Sequence, residues 1–359
     1  MFSTLAGQHS RMMNRRLQRV TAQIFKRIAL FVGLLACLFL VIETSGWASR
    51  RRVPLVVEYR ALSVPANKSD VELNLKLVTY NIWGLPSWMT GARSGRYPGI
   101  ARELERLDPD IILLQEAWIA EARKSAPAGG PWSIARAAGQ YLFSQQSGLV
   151  TLSKFPIIGG EFYPFSRAAF PDCFVNKGVL KVTVRLSSGQ VLNVWNVHLQ
   201  DGGTPELMLS QIRELASHVQ VAQDDQIADL VGGDFNCTPD SRLFQELVNS
   251  LGPSVQQLGG VQPFVTWDGL SAKPGVGQTL DHIFIKRRAT FQTVQAVQRV
   301  AFAAERLEQR LSDHLGIEAM VTLGIAPNLA EPIGTLLKTA RQPVVTASQS
   351  IYPGGGYAR

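Results

Sequence analysis

Short runs of Val, Ile and Leu that close on an amide, a carboxylate or an imidazole recur along this chain, and they limit its fold more than any other feature. "LKLVTYNI" reaches Asn81, "DIILLQE" reaches Glu116, "QVLNVWNVHL" reaches His198, and "IADLVGGDFN" reaches Asp234 and Asn236. "TLDHIFI" carries Asp281, and "LSDHLGI" carries Asp313 and His314 ahead of a further strand, "GIEAMVTL". Runs that are apolar throughout read as strands buried on both faces. Between them, "GIARELERL" places Ile100, Leu104 and Leu107 on one helical face, and Thr204-Pro205 caps a helix in which Ile212, Leu215 and Val219 share a face. Two sheets covered by helices in one α/β domain is the economical architecture. Polar residues gathered at strand ends then form a rim around a rigid core, the usual seat of a catalytic site.

In a strand side chains alternate, so Asp234 and Asn236 are expected on one side, with Phe235 turned into the core. Gly232 and Gly233 remove the Cβ atoms that would block a close-approaching group, and they read as room for an ester. The plain alternative for Asp-x-Asn is an Asx turn closing the strand. His282, beside Asp281, is expected to face away from the site.

At 359 residues, 46% apolar and 18% charged, the chain is globular and large enough to bury a substantial core. Its net charge of +8 suggests nucleic acid until it is located: residues 1–52 hold nine of the 36 Arg/Lys and one of the 28 Asp/Glu, leaving 27 of each beyond. A neutral body disfavours a nucleic-acid partner. In the basic N-terminus, "IALFVGLLACLFLVI" (28–42) follows six Arg/Lys and precedes small residues, with Gly46 and Ala48 as a cleavage pattern. That order reads as an export signal or a single membrane anchor, with the catalytic domain outside the cytoplasm. Cys173 and Cys237, the cysteines beyond this segment, make neither a disulfide framework nor a zinc spacing. The expected organisation is a basic segment (1–52), a linker (53–71), a catalytic domain (72–323) and a loosely ordered tail (324–359) rich in Pro, Gly, Ser and Thr.

Oxygen donors with few histidines suit a hard divalent ion, magnesium or manganese, and Asn81, Glu116 and Asp313 are the expected ligands. Asp281 and His314 supply a carboxylate-held imidazole as general base if their strands lie side by side. Donors such as the Asn236 amide would hold the charge of a phosphoryl transition state. Phosphate-ester cleavage follows from these residue types.

The set "TYNIWGLP", "IILLQEAW", "WNVHLQ", "GGDFN", "LDHIF" and "SDH" resembles the endonuclease/exonuclease/phosphatase superfamily across roughly residues 72–323. "WGLP", "GLVTLSKFPI" and "NKGVL" are most similar to its neutral sphingomyelinase branch. The resemblance implies a four-layer sandwich of two mixed β-sheets flanked by helices, and a magnesium-dependent phosphodiesterase. It implies Glu116 as metal carboxylate, His314 as base oriented by Asp281, Asp234 and Asn236 on water and phosphate, and His198 at the leaving-group or phosphate side. Asp172 and Lys177 match a pair in the membrane-associated members, where the resemblance implies a switch between inactive and productive loop positions and a catalytic role for the lysine. The implied partner is a phospholipid or sphingolipid in a bilayer, and no protein partner is expected; the aromatics of "LPSWMTG" and "EFYPFSRAAFPDCF" read either as an apolar rim touching that bilayer or as packed side chains. Two other readings stand beside this one: a secreted or envelope nuclease of the same fold, and a catalytically silent lipid-binding protein. The absence of "WNVNG" and "WCDRI" runs sets aside abasic endonucleases and inositol-polyphosphate phosphatases.

Overall fold

The computed structural model describes residues 21, 23–38, 55–59, 72–91, 95–137, 147–187, 189–221, 228–258, 265–270, 276–286, 291–301 and 310–325. Two compact units divide the chain, Met1–Ala48 and Ser49–Arg359. In the first, residues 23–38 are helical and expose large apolar side chains such as Phe25, Leu30 and Phe31. No described helix is long and apolar enough to cross a membrane. Residues 39–54, with the cleavage pattern at Gly46 and Ala48, and the tail from 326 onward lie outside the described residues.

The second unit is built on two sheets. One runs β1 (Leu55–Tyr59), β4 (Ser133–Ala137), β5 (Val150–Ser153), β3 (Ile111–Gln115), β2 (Glu72–Asn81), β13 (Gly316–Ile325), β12 (Phe291–Ala301). The other runs β10 (Val255–Gln257), β11 (Asp281–Lys286), β9 (Ala228–Asp234), β8 (Val191–His198), β7 (Gly178–Arg185), β6 (Ile157–Pro164). Each sheet is mixed: β2 and β3 pair in parallel, as do β8 and β9, among antiparallel neighbours.

Strand alternation explains the layers. Leu75 and Leu77 of β2 join Leu113, Val182, Leu230 and Ile283 in the core between the sheets. Val78 and Tyr80, one residue out of phase, pack with Ile100 and Leu104 of α1 (Arg96–Leu107) on the outer face. On the far side Trp195, Val231 and Phe284 pack against Ile212, Leu215 and Val219 of α2 (Pro205–Val221) and Leu247 of α3 (Arg242–Leu251). Helix, sheet, sheet, helices is the expected four-layer sandwich, and burial of both strand faces is why these runs are apolar throughout. Truncating a wholly buried leucine such as Leu113 to Ala would cost about 2–5 kcal/mol. α2 starts as expected: the Leu207 N–H donates to Thr204 Oγ1 at 3.3 Å.

Two boundaries differ from the sequence reading. β1 lies inside the expected linker and pairs with β4 at a sheet edge; its five residues, "LVVEY", are too few for alternation to stand out. β13 runs to Ile325, past the expected domain end.

Candidate active site

The topology brings the singled-out strand ends to one edge of the sandwich. Parallel pairing of β2 with β3 sets Asn81 opposite Gln115, with Glu116 next, and parallel pairing of β8 with β9 sets His198 opposite Asp234. Antiparallel β11 begins with Asp281 facing Asp234, while β13 begins just after His314 and pairs with β2. A buried bond between the sheets registers them: Gln115 Nε2 donates to Asn196 Oδ1 at 2.7 Å, and Asn196 Nδ2 donates to the Leu114 and Val150 carbonyls, each at 3.1 Å.

At that edge Asn81 Nδ2 donates to Glu116 Oε1 at 3.1 Å and to Asp234 Oδ2 at 2.9 Å, while its Oδ1 accepts from the Trp83 N–H at 3.0 Å. Asp234 Oδ2 also lies 3.7 Å from His198 Nε2 and 3.6 Å from His314 Nε2. Behind it His314 Nδ1 meets Asp281 Oδ2 at 2.8 Å, the carboxylate-held imidazole expected from sequence. Lys177 Nζ donates to the Leu199 carbonyl at 3.1 Å, and Asn236 Nδ2 donates to the same oxygen at 3.0 Å, placing both donors beside His198. Lys177 also pairs with Asp172 at 2.6 Å, and Asp172 accepts from the Asp201 N–H at 3.0 Å. Asp313, beside His314, accepts from Ser312 Oγ at 3.2 Å and Trp267 Nε1 at 3.4 Å.

Burial dominates the electrostatics. It pushes the Glu116 carboxyl up, reinforced by Asp313 and opposed by Lys177, and it pushes Asp234 up to about 7 against the pull of His314. It pulls His198 well below the ordinary imidazole value, with Lys177 adding to the effect, so that ring is neutral. Burial also pulls on His314, but Asp281 and Asp234 outweigh it and raise the imidazole to about 10.

These residues fit a hard divalent cation. Half-buried Glu116 and buried Asp234 are two carboxylates bridged by one amide nitrogen, and Glu116 Oε2 is itself buried with no hydrogen-bond partner among the described residues. Asp234, Asp281 and His314 also place ligand-type atoms within 4.8 Å of one another. Because the Asp281–His314 bond already occupies two of those groups, the Glu116–Asp234 side is the better seat, and its donors are all oxygen.

Two readings change in detail. Asn236 does not continue the strand: β9 ends at Asp234, whose Oδ1 accepts the Asn236 N–H at 3.0 Å, and Asn236 takes φ 48°. An Asx turn, not strand alternation, brings the pair together. The glycines do not clear a berth for an ester. A Cβ on Gly233 would lie 2.0 Å from the Val197 carbonyl oxygen, and one on Gly232 would lie 2.8 Å from Leu113, so both serve strand and sheet packing. In the Asp172–Lys177 pair the lysine is buried. His282 faces away as expected, with Nε2 3.0 Å from the Cys237 carbonyl and its ring against Phe244.

Sequence reasoning missed Arg96. Its buried guanidinium donates to the carbonyls of Ile82 and Trp83, beyond Asn81, and of Leu311, ahead of His314. Ser312 Oγ adds a 2.8 Å bond to the Asn81 carbonyl. The available signal was an arginine four residues before Ile100, on the apolar stripe of α1, where a solvated cation does not belong. Gln115 and Asn196 went unremarked because each stands beside a more chemically suggestive neighbour.

The model of the Endonuclease/Exonuclease/phosphatase family matches residues 78–314. A Drosophila melanogaster protein named as a neutral sphingomyelinase is 24% identical over 286 residues, 74% of this chain and 64% of that one. An inositol phosphosphingolipids phospholipase C of Schizosaccharomyces pombe is 26% identical over 190 residues, 50% of this chain and 44% of that one. The chain thus spans less than two thirds of the length of these curated relatives. A crystal structure of a Staphylococcus aureus beta toxin variant with bound magnesium ions superposes with a TM-score of 0.55 at 19% identity, covering 69% of this chain and 99% of that one. With the family match spanning every strand-end residue from Asn81 to His314 on the fold those residues require, this chain belongs to the Endonuclease/Exonuclease/phosphatase family.

Proposed function

We propose that this chain is a metal-dependent phosphodiesterase that hydrolyses sphingomyelin, or a related choline phospholipid, releasing phosphocholine. One observation carries the chemistry: His314 Nε2, on an imidazole held by Asp281, lies 3.6 Å from the Asp234 carboxylate that Asn81 ties to Glu116. A general base and an oxygen-rich cation seat share one edge. The sphingolipid names of the relatives support the substrate class, and the neutral body favours it over a nuclease.

In this reading Glu116 and Asp234 hold magnesium or manganese, with the Asn81 amide beside them and Asp313 adding negative charge behind. When bound, the ion polarises a phosphoryl oxygen and offsets charge in the transition state. His314 takes a proton from the attacking water, and Asp281 Oδ2 holds the ring so that Nε2 faces the site. Water oxygen bonds to phosphorus as the bond to the lipid alcohol breaks, and the departing oxygen is reprotonated. Neutral His198 and the Asn236 amide donate hydrogen bonds on the phosphate and leaving-group side. Lys177 does so only when released from Asp172, which makes the 172–177 segment a regulatory loop. The arginine-rich, then apolar, N-terminus supports export or anchoring with the catalytic unit outside the cytoplasm.

Purified full-length protein should release phosphocholine from sphingomyelin vesicles with magnesium and stop with chelator, and intact cells should hydrolyse vesicles added outside. His314→Ala should lower turnover by ~10²–10⁴-fold. No turnover across a panel of choline lipids overturns the proposal, and nicking of supercoiled plasmid at low enzyme would favour the nuclease.

A further inference from the structure

We infer that Thr266 and the Asp268–Arg310 ion pair are positioning residues, which splint the Asp281–His314 pair across the two sheets. The inference rests on the proposed role of His314 as general base. The splint itself is read from hydrogen bonds between the segments that carry the two residues.

Strand order alone does not hold this pair together. Asp281 opens β11 in one sheet, while His314 stands just before β13 in the other, so no ladder runs between their strands. Their 2.8 Å bond needs both backbones to stay in place. Residues 266–268 lie between them. Trp267 forms a β-bridge to Gln278 on one side and to His314 on the other. Toward β11, the N–H groups of Thr266 and Trp267 both donate to the Gln278 carbonyl at 2.9 Å. Thr266 Oγ1 accepts the N–H of Leu280 at 2.9 Å and of Asp281 itself at 3.1 Å. Toward β13, the Thr266 carbonyl accepts the Leu315 N–H at 2.5 Å, and the Asp268 N–H donates to the Asp313 carbonyl at 3.3 Å. One wholly buried threonine thus bonds the backbone of Asp281 and of the residue after His314.

Asp268 fixes the end of the splint. Arg310 Nη1 donates to its Oδ2 at 2.8 Å and Nη2 to its Oδ1 at 3.1 Å, and Oδ1 also accepts the Leu270 N–H at 3.0 Å. With 7% of the arginine side chain exposed and 13% of the aspartate, this is not one of the solvated pairs that contribute little. Such a pair adds little net stability over apolar packing, because both charges must leave water; what its two-bond fork supplies is a fixed distance and plane. Here the fork joins the residue after Trp267 to the residue four before His314, so the turn carrying the imidazole is held against sliding along the splint. Misplacing a catalytic group by ~1 Å can cost ~10²-fold in rate, which makes this register worth holding.

The test uses the full chain. Thr266→Val keeps the shape and removes the acceptor, Thr266→Ser keeps the acceptor, and Asp268→Asn weakens the fork. With magnesium and sphingomyelin vesicles, Thr266→Val and Asp268→Asn should each lower kcat by ~10–100-fold with KM within about twofold, and Thr266→Ser should recover most of kcat. In a His314→Ala background the same substitutions should cost less than ~2-fold, because no ring is left to aim. Equal losses in the two backgrounds, or an unchanged kcat in folded Thr266→Val, overturn the inference. Should Asp268→Asn fail to fold, the two threonine variants still decide. A readout without turnover separates the splint from the proposed function: the Nδ1 proton between His314 and Asp281 should give a far-downfield proton resonance that His314→Ala removes. Thr266→Val should shift or broaden that resonance, and Thr266→Ser should retain it. A resonance that Thr266→Val leaves untouched, or none in the wild type, overturns the splint. If the resonance responds while no choline lipid is hydrolysed, the function falls and the splint stands.

Discussion

Three non-glycine residues beside the site, Trp83, Glu116 and Asn236, hold left-handed backbone at φ 49°, 59° and 48°. Each conformation costs on the order of 1 kcal/mol and persists because neighbours over-determine it. Here the neighbours are the Asn81 and Asp234 side chains, whose oxygens accept the N–H groups of Trp83 and Asn236. The same crowding gives a titration prediction. Without a cation, Asp234 is raised to about 7 and His314 to about 10, so near pH 7.5 the imidazole and part of the carboxyl population carry protons. A cation at Glu116 and Asp234 favours the deprotonated forms, so binding must release protons and tighten as pH rises. Magnesium titrations by calorimetry in buffers of different ionisation enthalpy should show net proton release between pH 7 and 8.5. A pH-independent affinity would contradict the assignment of these carboxylates.

At the scale of elements, α1 couples the exit of β2 to the entry of β13. Arg96 donates to carbonyls on both sides, and among the described residues no carboxylate pairs with it. Removing it leaves three carbonyls, one buried and two partly buried, short of a donor and frees Asn81 to shift relative to His314. Arg96→Ala should cost about 2–4 kcal/mol in stability and lower kcat more than it raises KM, with Arg96→Lys partly restoring both. Thermal melts alongside steady-state kinetics check this, and an unchanged kcat in a folded variant would show that the link only adds stability. The strands were legible because two-sided burial leaves unbroken apolar runs. β1 was not, and Arg96 was passed over because the apolar stripe around it looked sufficient without a cation.

Across the whole molecule, His282 turns the core between the second sheet and its helices into a pH-sensitive element. Burial pulls its imidazole down to about 4, partly opposed by the Cys237 carbonyl. The unfolded chain, with an ordinary value near 6.5, binds the proton more readily. Its contribution is therefore fully present above pH 6.5 and is lost as pH falls toward 4, amounting to about 3 kcal/mol. Urea denaturation of wild type and His282→Phe, followed from pH 7.5 to 4, should show a shallower decline in the variant. Parallel curves would place the acid sensitivity elsewhere than His282, and not in Glu116 or Asp234, whose raised values make the folded state gain stability as pH falls.

Residue types and their order specified the α/β class, the strand ends and the identities of Asn81, Glu116, His198, Asp234, Asp281 and His314, because period and burial are local properties of a chain. Which sheet each strand joined, how an Asx turn rather than a pleat brought Asn236 to Asp234, and how Gln115 and Asn196 set one sheet against the other were decided by folding alone. So was the 3.6 Å between Asp234 and His314, since contacts between segments far apart in sequence exist only once two buried faces have found each other.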